Sequence, residues 1–179
     1  VIDTDPEHIR LESVFISTRS VDEKDPWRPH VGGANVLPSF SYRYHNGRIY
    51  AGMTRIVWEL NEVVQGRGGT CLVPGSHKAN TVSAHAGTWP EKADEPDSGI
   101  WETYGCPPGS LVIFTEAVRH TGEAWTHPDH DRSAILIAYN HVTVRHHEPK
   151  PCMNPAVIGG LSANRQGFFR DVWVLGNKR

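Results

Sequence analysis

His120 and Arg132 are the side chains whose types and spacing most suggest chemistry. The first closes the run Pro108-Gly109-Ser110-Leu111-Val112-Ile113-Phe114-Thr115-Glu116-Ala117-Val118-Arg119-His120, and the second opens the apolar run that ends at Tyr139. A Pro-Gly turn before the first run and a polar Thr/Gly/Glu/His/Pro loop after it mark two neighbouring strands. Side chains alternate faces along a strand, so Val112, Phe114, Glu116, Val118 and His120 are expected on one face. Arg132, Ala134, Leu136 and Ala138 are expected on one face of the next strand. A histidine at the mouth of one strand beside an arginine that starts its neighbour suits a site binding a metal and a dicarboxylate together.

The elements that must position these residues are short strands. Leu11–Ser17 reads as a strand, followed by a charged turn at Asp22–Pro26. Trp27–Asn35 places His30 before Val31, Gly32, Gly33 and Ala34, small residues that let backbone or ligand approach closely. Ser39–Tyr44 alternates, and His45-Asn46-Gly47-Arg48 carries the Asn-Gly signal of a tight hairpin. Strand is expected again over Ile49–Leu60, then at Thr70–Val73, where Pro74-Gly75-Ser76-His77-Lys78 ends it. Residues 79–107 form a long acidic connection with Trp89, Trp101 and Tyr104, the length of a functional lid or a mobile segment. Asn140–His147 reads as one more strand and Pro155–Val174 as a terminal helix. Many short strands between Gly/Pro turns indicate an all-β sandwich or barrel in one domain spanning residues 1–179.

A formal charge of −2 gives no reason to expect nucleic acid or an acidic membrane as partner. No apolar run reaches the roughly 18 residues of a membrane span. Cys71, Cys106 and Cys152, widely spaced and odd in number, suit a reduced cytoplasmic protein. Gln65–Gly69 is glycine-rich without either phosphate-loop pattern. No G-x-S-x-G elbow supports a serine hydrolase. His127, His130, His146 and His147 lack the C-x₂-C or H-E-x-x-H context of a zinc site and read as solvated loop residues. His77 and Lys78 read as part of a structural turn.

Gly68-Gly69-Thr70-Cys71-Leu72-Val73-Pro74-Gly75-Ser76-His77-Lys78, then the Pro108–Phe114 run leading to His120, then Arg132, resemble the phytanoyl-CoA dioxygenase family over roughly residues 28–145. The resemblance implies a double-stranded β-helix (a cupin-like jelly roll) with minor helix at the C-terminus. It further implies an Fe(II)- and 2-oxoglutarate-dependent dioxygenase that uses O₂ to hydroxylate a small organic substrate. Carried onto this sequence, it makes His30 and His120 the metal ligands and Arg132 the anchor of the 2-oxoglutarate carboxylate. The chain starts on Val1 with little before residue 28, which suggests that part of the family's usual N-terminal region is absent.

The sequence departs from the family at one place. The usual motif is His-x-Asp, and here it reads His30-Val31-Gly32, without the carboxylate. Three readings follow. Water or an anion fills the gap, as chloride does in the iron halogenases. Alternatively another carboxylate completes the site: Glu116 shares a face with His120, but four residues of regular strand span about 13 Å, out of reach unless the strand breaks. Glu59 and Glu62 are further candidates without a spacing argument. In the third reading the site is degenerate and the protein a non-catalytic jelly-roll binding module.

Overall fold

The computed structural model describes residues 5–21, 23, 27–32, 41–79, 92–146 and 154–173. Strands β1 (Ile9–Arg19), β4 (Thr54–Glu59), β6 (Leu111–Thr115) and β8 (Arg132–His141) form one antiparallel sheet in the order β1-β8-β4-β6. Strands β5 (Gly69–Leu72) and β7 (His120–Glu123) form a smaller antiparallel pair. Isolated bridges widen that pair on both sides, His30 to His120 and Leu72 to Glu102. Strands β2 (Arg43–His45) and β3 (Arg48–Tyr50) make a hairpin. Its turn places Asn46 and Gly47 at φ 50° and 75°, the left-handed pair that the Asn-Gly dipeptide predicts. The architecture is the expected all-β jelly roll. Among the described residues no helix is long and apolar enough to cross a membrane.

The larger sheet turns its charged residues inward. On β4, Arg55, Val57 and Glu59 are buried, while Trp58 between them is exposed. On β8, Arg132, Ala134, Ala138 and Asn140 are buried. The outer face is apolar instead: Ile16 is 71% and Ile113 62% exposed, with Val14, Leu111 and Trp58 also open to solvent. Both faces of β6 and β8 are thus largely apolar, which is why these strands read as continuous hydrophobic runs rather than as alternating ones.

Three expectations need correction. Asn140 and His141 do not begin another strand but end β8, and a turn follows at Val142 and Thr143. The stretch Ile49–Leu60 is interrupted by Ala51–Met53, where Gly52 takes φ 65°. The C-terminal segment is two short helices, α1 (Pro155–Gly159) and α2 (Ala163–Gln166), rather than one. Asn154 caps α1 by accepting from the Ala156 amide at 2.9 Å, and Gly160 ends it. The alternating segment before Tyr42 and the loop around Trp89 lie largely outside the described residues.

A buried ion pair fixes β1 to β8. Arg10 donates to Glu12, which also accepts from Asn140 Nδ2 at 2.7 Å and from the His146 amide at 2.9 Å. Arg10 and Glu12 are each 1% exposed and flank the bulge between Leu11 and Ser13. Removing one partner of such a pair costs about 3–5 kcal/mol because the other charge stays buried. Glu12→Ala is therefore expected to lower the thermal midpoint by about 6–20 °C, at about 2–4 °C per kcal/mol for a chain of this size. A calorimetric scan checks it.

Candidate active site

The break that Glu116 requires is present. Strand β6 stops at Thr115, residues 116–118 turn, with the Val118 amide donating to the Thr115 carbonyl at 2.9 Å, and β7 starts afresh at His120. Segment 30–32 runs antiparallel against this turn. His30 and His120 exchange both backbone hydrogen bonds at 2.9 Å, and the Gly32 amide donates to the Glu116 carbonyl at 2.8 Å. The pairing sets the two imidazoles beside each other, ring centroids 4.2 Å apart. The face-sharing expected of a regular strand from Val112 to His120 therefore fails, yet the turn draws Glu116 and His120 together.

Both histidines are oriented alike. Nδ1 of His30 lies 2.8 Å from the Arg28 carbonyl, and Nδ1 of His120 lies 2.8 Å from the Val118 carbonyl. A carbonyl can only accept, so Nδ1 carries a proton in each ring, and in the neutral form of the ring Nε2 keeps its lone pair for a metal. Burial is the largest influence on His120 and lowers its pKa to about 4, against the opposing pull of Glu116. Its imidazole is therefore neutral at physiological pH, the form that ligates.

Glu116 is buried between charges. Arg55 Nε donates to one carboxylate oxygen, and the other, Oε2, lies 3.5 Å from His120 Nε2. Burial alone would raise its pKa, but His120 in its protonated form and the Arg55 guanidinium outweigh burial and hold the carboxyl below its usual range. Its position explains the glycine in the departed motif. A Cβ built on Gly32 would lie 1.9 Å from Glu116 Oε2, so the volume that a residue-32 side chain would occupy already holds a carboxylate. As they lie, no three His, Cys, Asp or Glu side chains among the described residues form an arrangement that could hold a metal ion. His30, His120 and Glu116 are gathered but not closed on a point.

Arg132, at the start of β8, is buried and engages a carboxylate in two-pronged fashion, as its geometry favours. That carboxylate is Glu59 on β4, with Nε to Oε2 at 3.1 Å and Nη2 to Oε1 at 2.6 Å; Nη2 also reaches Thr70 Oγ1 at 3.1 Å. Tyr104 donates its hydroxyl to Glu59 as well. Burial first, and then Glu59 itself, push the Tyr104 pKa up, so it remains a protonated donor. Glu59 is thus committed to Arg132 and Tyr104 rather than turned to the histidines, and Glu62 is exposed after β4.

A cavity of about 200 Å³ between the sheets joins the two clusters, lined by His30, His120, Arg19, Arg55 and Arg132. Its apolar wall is Phe15, Val57, Phe114 and Leu136. Arg19 faces Arg132 directly across the β1–β8 ladder, and like charges so placed repel. Arg55 Nη1 is buried without a hydrogen-bond partner. Three guanidiniums around one cavity, one with an orphaned donor, suit an anionic ligand. Sequence reasoning had not singled out Arg19 or Arg55. The signal was available in Thr54–Glu59, where Arg55 and Glu59 occupy the same face of an otherwise apolar strand as Val57.

Of the segment 79–107 expected as a lid or mobile connection, residues 80–91, with Trp89, lie outside the described residues. What is described is pinned down: Arg119 pairs with Asp94 through two hydrogen bonds, and Trp27 Nε1 donates to the Asp94 carbonyl at 2.6 Å. Trp101 packs edge-on against Trp27, ring centroids 5.0 Å apart. His127 and His130 are not simply solvated but stack on each other, centroids 4.1 Å apart, beside buried Trp125.

The family model described as Phytanoyl-CoA dioxygenase (PhyH) matches residues 24–134. No curated protein matches the chain closely. Among solved structures, HygX from Streptomyces hygroscopicus with nickel and 2-oxoglutarate bound is similar at a TM-score of 0.60 and 22% identity, over 76% of this chain and 58% of that one. The same protein with iron bound is similar at 0.59 and 22%, over 76% and 60%. The non-heme alpha ketoglutarate dependent epimerase SnoN from nogalamycin biosynthesis is similar at 0.51 and 18%, over 82% and 56%. The chain thus spans about three fifths of the length of these solved chains.

Proposed function

Because the chain belongs to the phytanoyl-CoA dioxygenase family, we propose that it is an Fe(II)- and 2-oxoglutarate-dependent dioxygenase that hydroxylates a small organic substrate. The observation that carries this reading is the paired His30 and His120, Nε2 lone pairs available, on a cavity lined by three arginines. The residues fit the groups. Two adjacent imidazoles suit a borderline ferrous ion, and the orphaned Arg55 donor with the Arg19–Arg132 pair suits a dicarboxylate.

His30 and His120 would hold the metal through Nε2, their Nδ1 protons tied to the carbonyls of Arg28 and Val118. Bound iron would supply a chelation point for the keto-acid end of 2-oxoglutarate and would activate O₂, with succinate, CO₂ and a hydroxylated product as the outcome. Arg132 takes the far carboxylate of the cosubstrate with the part of its guanidinium that Glu59 leaves, and Arg19 adds a second charge across the ladder. Glu59 and Tyr104 orient Arg132 before the cosubstrate arrives. Phe15, Phe114 and Leu136 limit water on the remaining walls.

The halogenase alternative needs room for chloride beside Gly32, and Glu116 Oε2, 1.9 Å from where a Cβ at residue 32 would stand, counts against that room. The binding-module alternative rested on the missing carboxylate, and the same oxygen weakens it. With Fe(II), O₂ and ascorbate supplied, the last as the two-electron reductant that takes the place of a substrate, the protein is expected to convert 2-oxoglutarate to succinate, one succinate per O₂ consumed, even before its own substrate is found. No succinate above a free-iron control would contradict the proposal.

A further inference from the structure

We propose that Glu116 is the third metal ligand, so that the carboxylate absent after His30 is delivered from the opposite segment, the turn between β6 and β7. The inference rests on the reading of this cavity as a metal and 2-oxoglutarate site, and deepens it.

The first argument is mutual exclusion. Glu116 Oε2 lies 1.9 Å from the point where a Cβ on Gly32 would stand, and the Gly32 amide donates to the Glu116 carbonyl at 2.8 Å. Positions 32 and 116 face each other, and only one of them can carry a side chain into the volume beside the two imidazoles. A side chain at 32 evicts the carboxylate of Glu116; a glycine admits it. A carboxylate is therefore at the site, attached to a different strand.

The second argument is spacing. Neighbouring ligands on one divalent ion, each about 2.1 Å from it, stand about 3 Å apart. Glu116 Oε2 and His120 Nε2 are 3.5 Å apart, two lone-pair atoms with no proton between them, since His120 Nδ1 carries the ring proton. The remaining step from a gathered to a closed site is a few tenths of an ångström for this pair.

The third argument is the division of the carboxylate. Arg55 Nε holds one oxygen, which fixes the side chain and leaves Oε2 on the histidine side. A ligating carboxylate steadied through its other oxygen is the usual outer-shell arrangement of metal sites. The competing account makes Glu116 only the ion-pair partner of Arg55, a role in which Glu116→Gln would leave metal affinity unchanged.

The test exchanges the ligand between the two positions and reads binding of Co(II), an air-stable spectroscopic probe, by calorimetry and visible absorption. Wild type is expected to bind saturably. Glu116→Gln keeps the size of the side chain and an acceptor for Arg55, and is expected to weaken Co(II) more than about 100-fold. Gly32→Asp alone should also be weakened, because the two side chains collide. The double variant Gly32→Asp/Glu116→Ala should recover to within about tenfold of wild type, with circular dichroism confirming that each variant is folded. If Glu116→Gln binds Co(II) as wild type does while His120→Ala does not, the metal site is real and Glu116 is not its ligand, which overturns the inference alone. If folded wild type binds no Co(II) at millimolar concentration, the metal reading fails and the inference falls with it.

Discussion

Arg132→Met is expected to lower the thermal midpoint by about 6–20 °C and to abolish 2-oxoglutarate binding at once. Arg132 is 4% exposed and Glu59 is 0% exposed, so the variant leaves a carboxylate sealed in the core with Tyr104 as its remaining side-chain donor among the described residues. The cost of stranding one member of a buried pair is about 3–5 kcal/mol, far more than the pair itself adds over neutral residues of similar shape. This gives the structural and binding roles separate signatures. The double variant Arg132→Met/Glu59→Gln removes the stranded charge and should regain most of the lost stability, while its affinity for 2-oxoglutarate stays lost. Recovery of both in the double variant would mean that Arg132 serves Glu59 and not the cosubstrate. Differential scanning calorimetry and a 2-oxoglutarate titration of the metal-loaded protein read the two quantities.

His120→Ala is expected to weaken divalent metal binding by more than about 100-fold with a much smaller change in stability. Among the described residues the imidazole makes one hydrogen bond, to the Val118 carbonyl, whose loss costs about 1 kcal/mol. The backbone pairing with His30 does not depend on the side chain. A structural histidine would behave in the opposite way, with stability falling and metal affinity unmoved. Equilibrium dialysis against Mn(II), together with chemical denaturation, distinguishes the two.

Much of this architecture was legible in the sequence because turn chemistry is local. Asn46-Gly47 set its hairpin and Pro108-Gly109 preceded β6, where Gly109 takes φ 85°. The spacing of His120 and Arg132 marked the two ends of the cavity, and both residues do line it. Other features depend on pairing between distant segments. Nothing in residues 111–120 taken alone announces that the strand stops at Thr115; the turn is held by contacts of Glu116 with Met53 and Gly32, more than sixty residues earlier. The 13 Å separation expected between Glu116 and His120 assumed a straight strand, and the turn shortens it to 3.5 Å between Oε2 and Nε2. The ion pair of Arg132 with Glu59 is likewise long-range, so a carboxylate-binding role could be inferred from the arginine but its resident partner could not.

Gly32 shows the same limit from the other side. In the chain it reads as a lost ligand; in the fold it is the space that the Glu116 side chain fills. A motif defined along the sequence records where a functional group is attached, whereas chemistry depends on where the group ends up.

The most direct test of the central claim is an anaerobic titration of the metal-free protein with Fe(II) and then 2-oxoglutarate, followed in the visible region. A saturable, weak charge-transfer band that appears only when both are present is the expected result, since it requires iron on the histidines and the keto acid chelated to it with its far carboxylate on Arg132. No band at millimolar iron and 2-oxoglutarate, with the protein folded, would contradict the account.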